Sequence, residues 1–527
     1  MFLYDYSPMQ QMGGRSQTDS VDVCTAPMAD SASCGRPIYG SGSSGGGCIL
    51  HSDDPSKPLS LVHQEINAVL HHPTSGVGAD LTGIRVPVGE LELLLGGIPG
   101  GLILTGAVLD CDLVLAKAGA GLSALQCARA TFGGRLELRD FECSKAVFED
   151  AAFLKPLTVL QVRLDSVTFF QAEFSGDVSF RNSNIRSIDV SCTCFRGGLR
   201  LDGCNVGQWS GDGINCDGRL VAIDCTFQKP ARFGQSMFAA RGAMDVTFSQ
   251  GVNFASAGFP QGFSFANSKF GGIAVFRHAC FGPGADEQQV KDAEAIADFR
   301  SCQFAQGADL TGVNRSSSQG LRLRAAKSNI VESPFWDVQW YRRAGRRVLQ
   351  DELDPEEITE SAEVVADAYA GLVKTFDDRR MYDHAEDFRW GELEMRRRPE
   401  HTLYAHRGLL WLYGKLSGYG SSYRRAAFWL GMLFLMFSGM YSLPAVGLRP
   451  AHPVASPTAT TRTTAVPQWV KPFGAGVVHT VEVAAFNRRR QYEVSTPAGA
   501  LIEAAQLFTF AGQVALFLFA LRRRFRS

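Results

Sequence analysis

The sequence predicts a multidomain protein: a coiled tube of short stacked sides, then an α-helical hairpin, then two transmembrane helices. Three observations carry this. Within Val252–Phe281, phenylalanine returns at Phe254, Phe259, Phe265, Phe270, Phe276 and Phe281, in steps of five and six residues. Two residues before each stands Val252, Ala257, Phe263, Ser268, Ala274 or Ala279, nearly always small. Neither the 3.6-residue period of a helix nor the two-residue period of a strand fits this spacing. A chain that turns a corner after each short side does, with one large residue per side pointing into the tube. The second observation is a rise in charge density after Val313, and the third is a pair of uncharged runs, Ala426–Val446 and Ala504–Leu521.

Taken in order, residues 1–58 are rich in Gly and Ser (40–47 reads GSGSSGGG) and are expected to be disordered. Asp5, Asp19 and Asp22 interrupt any apolar leader, so no signal peptide is expected. Residues 59–75 are expected to hold a capping helix with Leu61, Val62, Ile66 and Leu70 on one face, since an open end of the tube would expose strand edges. The tube itself is placed at 76–314. Its inward residues are read as Leu81, Phe148, Phe153, Phe169, Phe174, Phe180, Phe233, Phe238, Phe254, Phe259, Phe265, Phe270, Phe276, Phe281, Phe299, Phe304 and Leu310. Phe148 to Phe169, and Phe233 through Phe254 and Phe276 to Phe299, recur at 21 to 23 residues, one full coil.

The two ends of this region carry a family resemblance. Ala79-Asp80-Leu81-Thr82-Gly83 and Ala308-Asp309-Leu310-Thr311-Gly312 match the A-D/N-L-x-x signature, and the chain resembles pentapeptide-repeat proteins. That resemblance implies a right-handed quadrilateral β-helix across 76–314. Most intervening repeats depart from the signature, with Phe for Leu and few Asp or Asn.

Of 13 cysteines, ten lie inside the repeat region, and Cys225 and Cys302 occupy the small-residue slot two before Phe227 and Phe304. That is where a small buried thiol fits. Cys192 and Cys194 form C-x-C with no second pair at zinc-site spacing. A reduced, metal-free set in a reducing compartment is expected, with no cofactor. Gln208–Asp224 carries Asp212 and Asp217 among glycines without the EF-hand spacing, and reads as a surface loop or distorted coil.

Residues 315–353 read as a linker and helix, and 354–400 as a helical hairpin opened by Asp354-Pro355. In it Tyr369, Leu372 and Phe376 face Ala385, Phe388 and Leu393. His384, Asp387, Glu392 and Glu394 fall on several faces and read as solvated charge rather than an acid–base or metal site. A juxtamembrane amphipathic segment, 401–425, leads to spans at 426–446 and 504–521, each matched to a hydrocarbon core of about 30 Å. Between them a Pro/Thr-rich loop, 447–503, contains the short apolar segment 473–486, and a basic tail, 522–527, follows. Arg424, Arg425 and the terminal arginines place both termini in the cytoplasm, although Arg488–Arg490 in the loop pull the other way. Small residues Ala427 and Gly431 in the first span, with Ala505, Gln506, Thr509, Gly512 and Gln513 in the second, are expected to pack the helices within one chain or between copies.

Phe388–Arg398, Leu410–Gly420 (LWLYGKLSGYG) and Ser422–Ala426 resemble membrane-anchored bacterial pentapeptide-repeat proteins. The T-x-G-Y-G filter of some two-span channels does not stand between these spans; Gly418-Tyr419-Gly420 precedes the first. No P-loop, nucleophile elbow, dinucleotide fingerprint or HExxH is found, so no enzyme is expected. A net charge of −1 argues against a nucleic-acid binder. The expectation is a scaffold in the inner (plasma) membrane whose cytoplasmic β-helix binds a protein partner. The alternative is a subunit of a two-span channel or transporter, regulated by the β-helix.

Overall fold

The computed structural model describes residues 23–28, 33–39, 47–71, 78–94, 100–116, 122–140, 142–283, 294–353, 361–398, 404–420, 422–451, 470–485 and 490–524. Residues 452–469 of the Pro/Thr-rich loop, the Asp354-Pro355 helix start, Arg488, Arg489 and much of the Gly/Ser-rich N-terminus lie outside them. The chain divides into two compact units: one reaches to Leu321 and takes in Phe335–Gln339, and the other holds Arg322–Pro334 and the chain from Trp340 onward.

The first unit is a β-solenoid of about nine turns of parallel, stacked strands. One sheet of ten two-residue strands runs along it, stacked in nine turn-to-turn steps from Arg85–Val86 to Cys280–Phe281. Residues two apart on a strand share a face, which is why both the small residue and the large one two later point inward. In one turn the pairs Val162/Leu164, Val167/Phe169, Ala172/Phe174 and Val178/Phe180 are all buried. Every inward residue named above is buried, none more than 3 % exposed.

Stacking between turns follows from register. Val167 pairs with Ala146 and Phe174 with Phe153, so like positions lie above one another. Phe148 and Phe169 stack at 5.0 Å, Phe153 and Phe174 at 4.4 Å, and Phe254 and Phe276 at 5.3 Å, each pair within 13° of parallel. At one corner of each turn, the residue two after the large one is left-handed, as at Asp150 (φ 56°), Gln171 (φ 58°) and Ser256 (φ 57°). Gly83 and Gly312 close the two end repeats in this conformation, which glycine adopts without strain. The aspartate of the signature has a local task as well: Asp80 accepts from Thr82 N at 3.0 Å and Asp309 from Thr311 N at 3.1 Å, tying the corner down.

Three expectations change here. Gln208–Asp224 is an ordinary turn of the solenoid: Trp209, Ile214 and Cys216 fill inward slots, and their lack of phenylalanine hides the repeat. The first helix, α1 (Leu59–His71), buries Val62, Ile66, Val69 and Leu70, while Leu61 faces solvent. The described parts of 23–58 are not featureless, since Val23 and Pro27 bridge to Pro37 and Ser33, and Leu50 O accepts from Arg85 N at 2.7 Å.

In the second unit the expected linker is packed chain: Leu323, Ala325, Ile330, Val348 and Leu349 are buried beneath a hairpin of helices α2 (Ala362–Asp378) and α3 (Tyr382–Arg397). Met395 takes the core place expected for Leu393, which is only half-buried, and the Gly391 backbone lies directly against the Tyr369 ring. Tyr369 donates to Glu352 at 2.6 Å and accepts from Leu349 N at 2.9 Å, and Arg346 pairs with Glu352.

Helices α4 (Tyr404–Ser417), α5 (Tyr423–Tyr441), α6 (Val470–Ala484) and α7 (Pro497–Arg524) follow. One helix among the described residues is long and apolar enough to cross a membrane: α7, over Pro497–Arg522. The expected first span is shorter than its sequence, because the chain leaves the helix at Ser442 and Pro444–Val446 form a 3-10 turn. The uncharged part of α5, Ala426–Tyr441, rises roughly 24 Å at 1.5 Å per residue, less than the hydrocarbon thickness. The expected apolar segment 473–486 is largely helix α6, packed against α5 and α7, which also meet each other directly.

Candidate functional site

The segment ahead of the α2–α3 hairpin, helix α3 and the two helices that follow it build a basic pocket. Its lining includes Arg343, Arg346, Arg397, Arg398, Lys415 and Arg425 against two carboxylates, Glu352 and Glu394, with Trp390, Trp411 and Tyr419 as aromatic walls; the cavity measures about 510 Å³. Both carboxylates are already engaged, Glu352 by Arg346 and Glu394 by Arg397 and by the Tyr419 hydroxyl at 3.1 Å. Burial alone would raise the Glu394 carboxyl, but Arg397 and Tyr419 reverse this and hold it below the usual carboxylate range. Burial, and then Glu394, push the Tyr419 hydroxyl up to about 12.

The local sequence explains the shape. Tyr419 stands at φ 56° between Gly418 and Gly420, so the chain reverses after α4 and drops the phenol beside Glu394. The Arg425 guanidinium lies over the Trp390 ring at 5.3 Å, and the Trp429 indole donates to Lys415 O at 3.2 Å. Excess positive charge between aromatic walls suits a phosphate- or carboxylate-bearing group. Trp411, Lys415 and Tyr419 come from the LWLYGKLSGYG segment, here given a geometric role: the glycines set the turn and the tyrosine fastens it.

The charged residues of the hairpin do not converge. His384 stacks on Phe376 at 5.1 Å, Asp387 pairs with Arg347 at 2.7 Å, and Glu392 with Arg396 at 3.0 Å. Of the polar stripe on α7, Gln506 is buried and donates to Thr480 O at 2.9 Å, and Gln513 is buried and donates to Ala426 O at 2.9 Å. Thr509 is exposed and donates to Ala505 O in its own helix.

Within one chain, the small residues expected to pack the helices do not make the contact. Ala427, Gly431, Ala505 and Gly512 are exposed, and a methyl group placed at Gly431 or Gly512 would meet nothing within 4 Å. The close approach is made instead by Gly476 of α6, where a methyl group would stand 2.4 Å from Ser438 O. Helix α6 sits against α5 at this point, which the spacing within α5 and α7 cannot reveal. Around it His479, Glu482 and Gln506 are buried, and both His479 nitrogens, Glu482 Oε2, Gln506 Oε1 and Tyr441 OH have no hydrogen-bond partner among the described residues.

One group of residues was missed altogether. The ligand atoms of Cys24, Cys34, Cys48 and His51 all lie within 4.8 Å of one another, in the stretch expected to be disordered. The short spacing Cys48-x-x-His51 was the available signal.

Comparison with family models, with curated proteins and with solved structures finds no match.

Proposed function

We propose that the protein is a membrane-anchored interaction scaffold. The observation that carries the reading is the joining, in one chain, of a closed solenoid with regular, charge-studded walls and a helix of membrane-crossing length. The inward residues satisfy one another, so what the solenoid offers a partner is its outer surface: inter-turn ion pairs such as Arg163–Glu142 at 3.0 Å and Arg277–Asp309 at 2.8 Å. Exposed pairs of this kind contribute little to stability, about 0–1 kcal/mol each, which leaves their charge pattern available for recognition. The resemblance to right-handed, four-sided pentapeptide-repeat proteins anchored in the inner membrane supports the same reading. On it the solenoid lies in the cytoplasm, and the basic pocket ahead of α5 receives an anionic group at the membrane surface.

The test is photocrosslinking in cells from outward positions Glu142, Arg196 and Arg277. One recurrent protein partner is expected, lost when those charges are reversed. Failure to recover a partner, with ion flux through reconstituted vesicles, would favour the second reading, a channel or transport subunit. The unpartnered polar atoms between α5, α6 and α7 are what favour that alternative.

A further inference from the structure

We propose that Cys24, Cys34, Cys48 and His51 bind one structural zinc ion, and that the metal-held knuckle caps the first turn of the solenoid. This stands independently of the scaffold reading.

Three of the distances between ligand atoms are close to the edges of a tetrahedral site. Cys24 Sγ lies 3.5 Å from His51 Nδ1, Cys48 Sγ 3.3 Å from the same nitrogen, and Cys34 Sγ 3.8 Å from Cys48 Sγ. With Zn–S of about 2.3 Å and Zn–N of about 2.0–2.1 Å, the edges of a tetrahedron are about 3.8 Å for S···S and about 3.6 Å for S···N. A disulfide between Cys34 and Cys48 would need about 2.05 Å between the sulfurs. Three soft sulfurs and one imidazole select zinc over the hard cations calcium and magnesium, and four protein ligands leave no open position.

The backbone holds the ligands in two pieces. Cys24 and Cys34 lie on the two arms of a small antiparallel bridge, with Cys24 N bonded to Arg36 O at 2.7 Å and Cys34 N to Ala26 O at 2.9 Å. Cys48 and His51 share a tight turn, His51 N donating to Cys48 O at 3.0 Å. The independent pointer to a metal is the far side of the ring: His51 Nε2 donates to Thr82 O at 2.9 Å. That bond places the proton on Nε2 and leaves the Nδ1 lone pair facing three sulfurs, the usual outer-shell arrangement of a ligating histidine. Zinc binding would displace three thiol protons and give a site of net charge −1.

The cap follows from what lies between the ligands. Leu50, buried between Cys48 and His51, accepts from Arg85 N at 2.7 Å through its carbonyl. In the next turns Val108 N bonds to Ile84 O and Thr131 N to Ala107 O, both at 2.8 Å, in the same ladder. The knuckle therefore supplies the ladder position of a preceding turn. Asp53 pairs with Arg85 at 2.5 Å, and Lys57 Nζ donates to Ile49 O and Ser52 O at 2.8 Å, fastening the chain beyond the metal. Without the cap the first strand edge is open to other chains.

The experiment uses the full chain, purified in detergent under reducing conditions, with metal measured by mass spectrometry. One zinc per chain is expected, lost in Cys48→Ser and in His51→Ala, and retained in Cys127→Ser, which removes a buried solenoid thiol. Because the ligand variants could fail to fold, cobalt exchange into the wild type gives a second readout. Visible bands of tetrahedral cobalt with thiolate charge transfer are expected, shifted in His51→Cys. Chelation should increase amide exchange first at Arg85 and in Gly78–Leu94. Wild-type protein with intact thiols and no metal, zinc unchanged by the ligand substitutions, or a Cys34–Cys48 disulfide would overturn the site. Unchanged exchange at Arg85 after chelation would overturn the cap.

Discussion

Phe265 is the residue on which the packing of the solenoid can be tested most directly. Its ring is fully buried and lies 5.1 Å from Phe299 in a near-parallel stack, 4.7 Å from Phe263, 5.2 Å from Phe254 and 5.4 Å from Phe276. Truncating a buried phenylalanine to alanine costs about 3–5 kcal/mol once the cavity is included. Aromatic pairs add about 0.5–1.5 kcal/mol beyond burial, so Phe265→Ala belongs at the upper end. A cooperative domain holds about 5–15 kcal/mol in all, and a solenoid passes the loss mainly to adjoining turns. Hydrogen exchange on the full chain should therefore show protection falling in Gly242–Leu310 and persisting in 142–202. Phe265→Leu should restore part of it, since leucine refills much of the cavity but makes none of the ring contacts. Equal loss in every turn, or no loss near Phe299, would refute the stacked-core argument.

Tyr369→Phe removes the donor to Glu352 Oε2 and the acceptor of Leu349 N, while Arg346 stays on the other carboxylate oxygen, and should destabilise the second unit by about 1–3 kcal/mol in urea titrations. His384 is pulled down to about 4 by burial and then by Arg347. The folded chain thus holds the ring neutral while the unfolded chain protonates it near its ordinary value of about 6.5. Stability from the neutral ring is full above that value and is lost as pH falls toward 4, so His384→Phe should flatten the urea midpoint between pH 7 and pH 5; an unchanged slope would assign it to another group. Gly197→Ala should force two turns apart, because its methyl would stand 2.5 Å from the Gly176 carbonyl carbon, and melting should fall by several degrees. Gln506→Leu with Gln513→Leu removes the donors to Thr480 O and Ala426 O; contacts of this class average about 0.6 kcal/mol, so crosslinking between α7 and its neighbours should weaken while membrane insertion persists.

What the amino-acid order determined by itself was the solenoid. An inward slot accepts only certain volumes, each turn meets the same constraint, and the result is a spacing visible along the chain from Phe148 to Phe304. Where Trp209 and Cys216 meet the constraint with other side chains, the turn persists but the spacing no longer shows it. The helical hairpin was legible for a similar local reason, with Tyr369, Leu372, Phe376 and Phe388 at helical intervals, although Met395 rather than Leu393 reached the core. Only the tertiary structure decided the rest. The length of α5 depends on where the chain leaves the helix at Ser442, and the close helix contact within the chain is made by Gly476 of α6 against Ser438. The basic pocket gathers Arg343, Arg397 and Arg425 from separate stretches. Cys24, Cys34, Cys48 and His51 acquire a shared centre only when the first turn presents the Thr82 carbonyl to the imidazole. Periodicity records contacts that recur at fixed intervals; a site assembled once, from residues far apart in the chain, leaves no period.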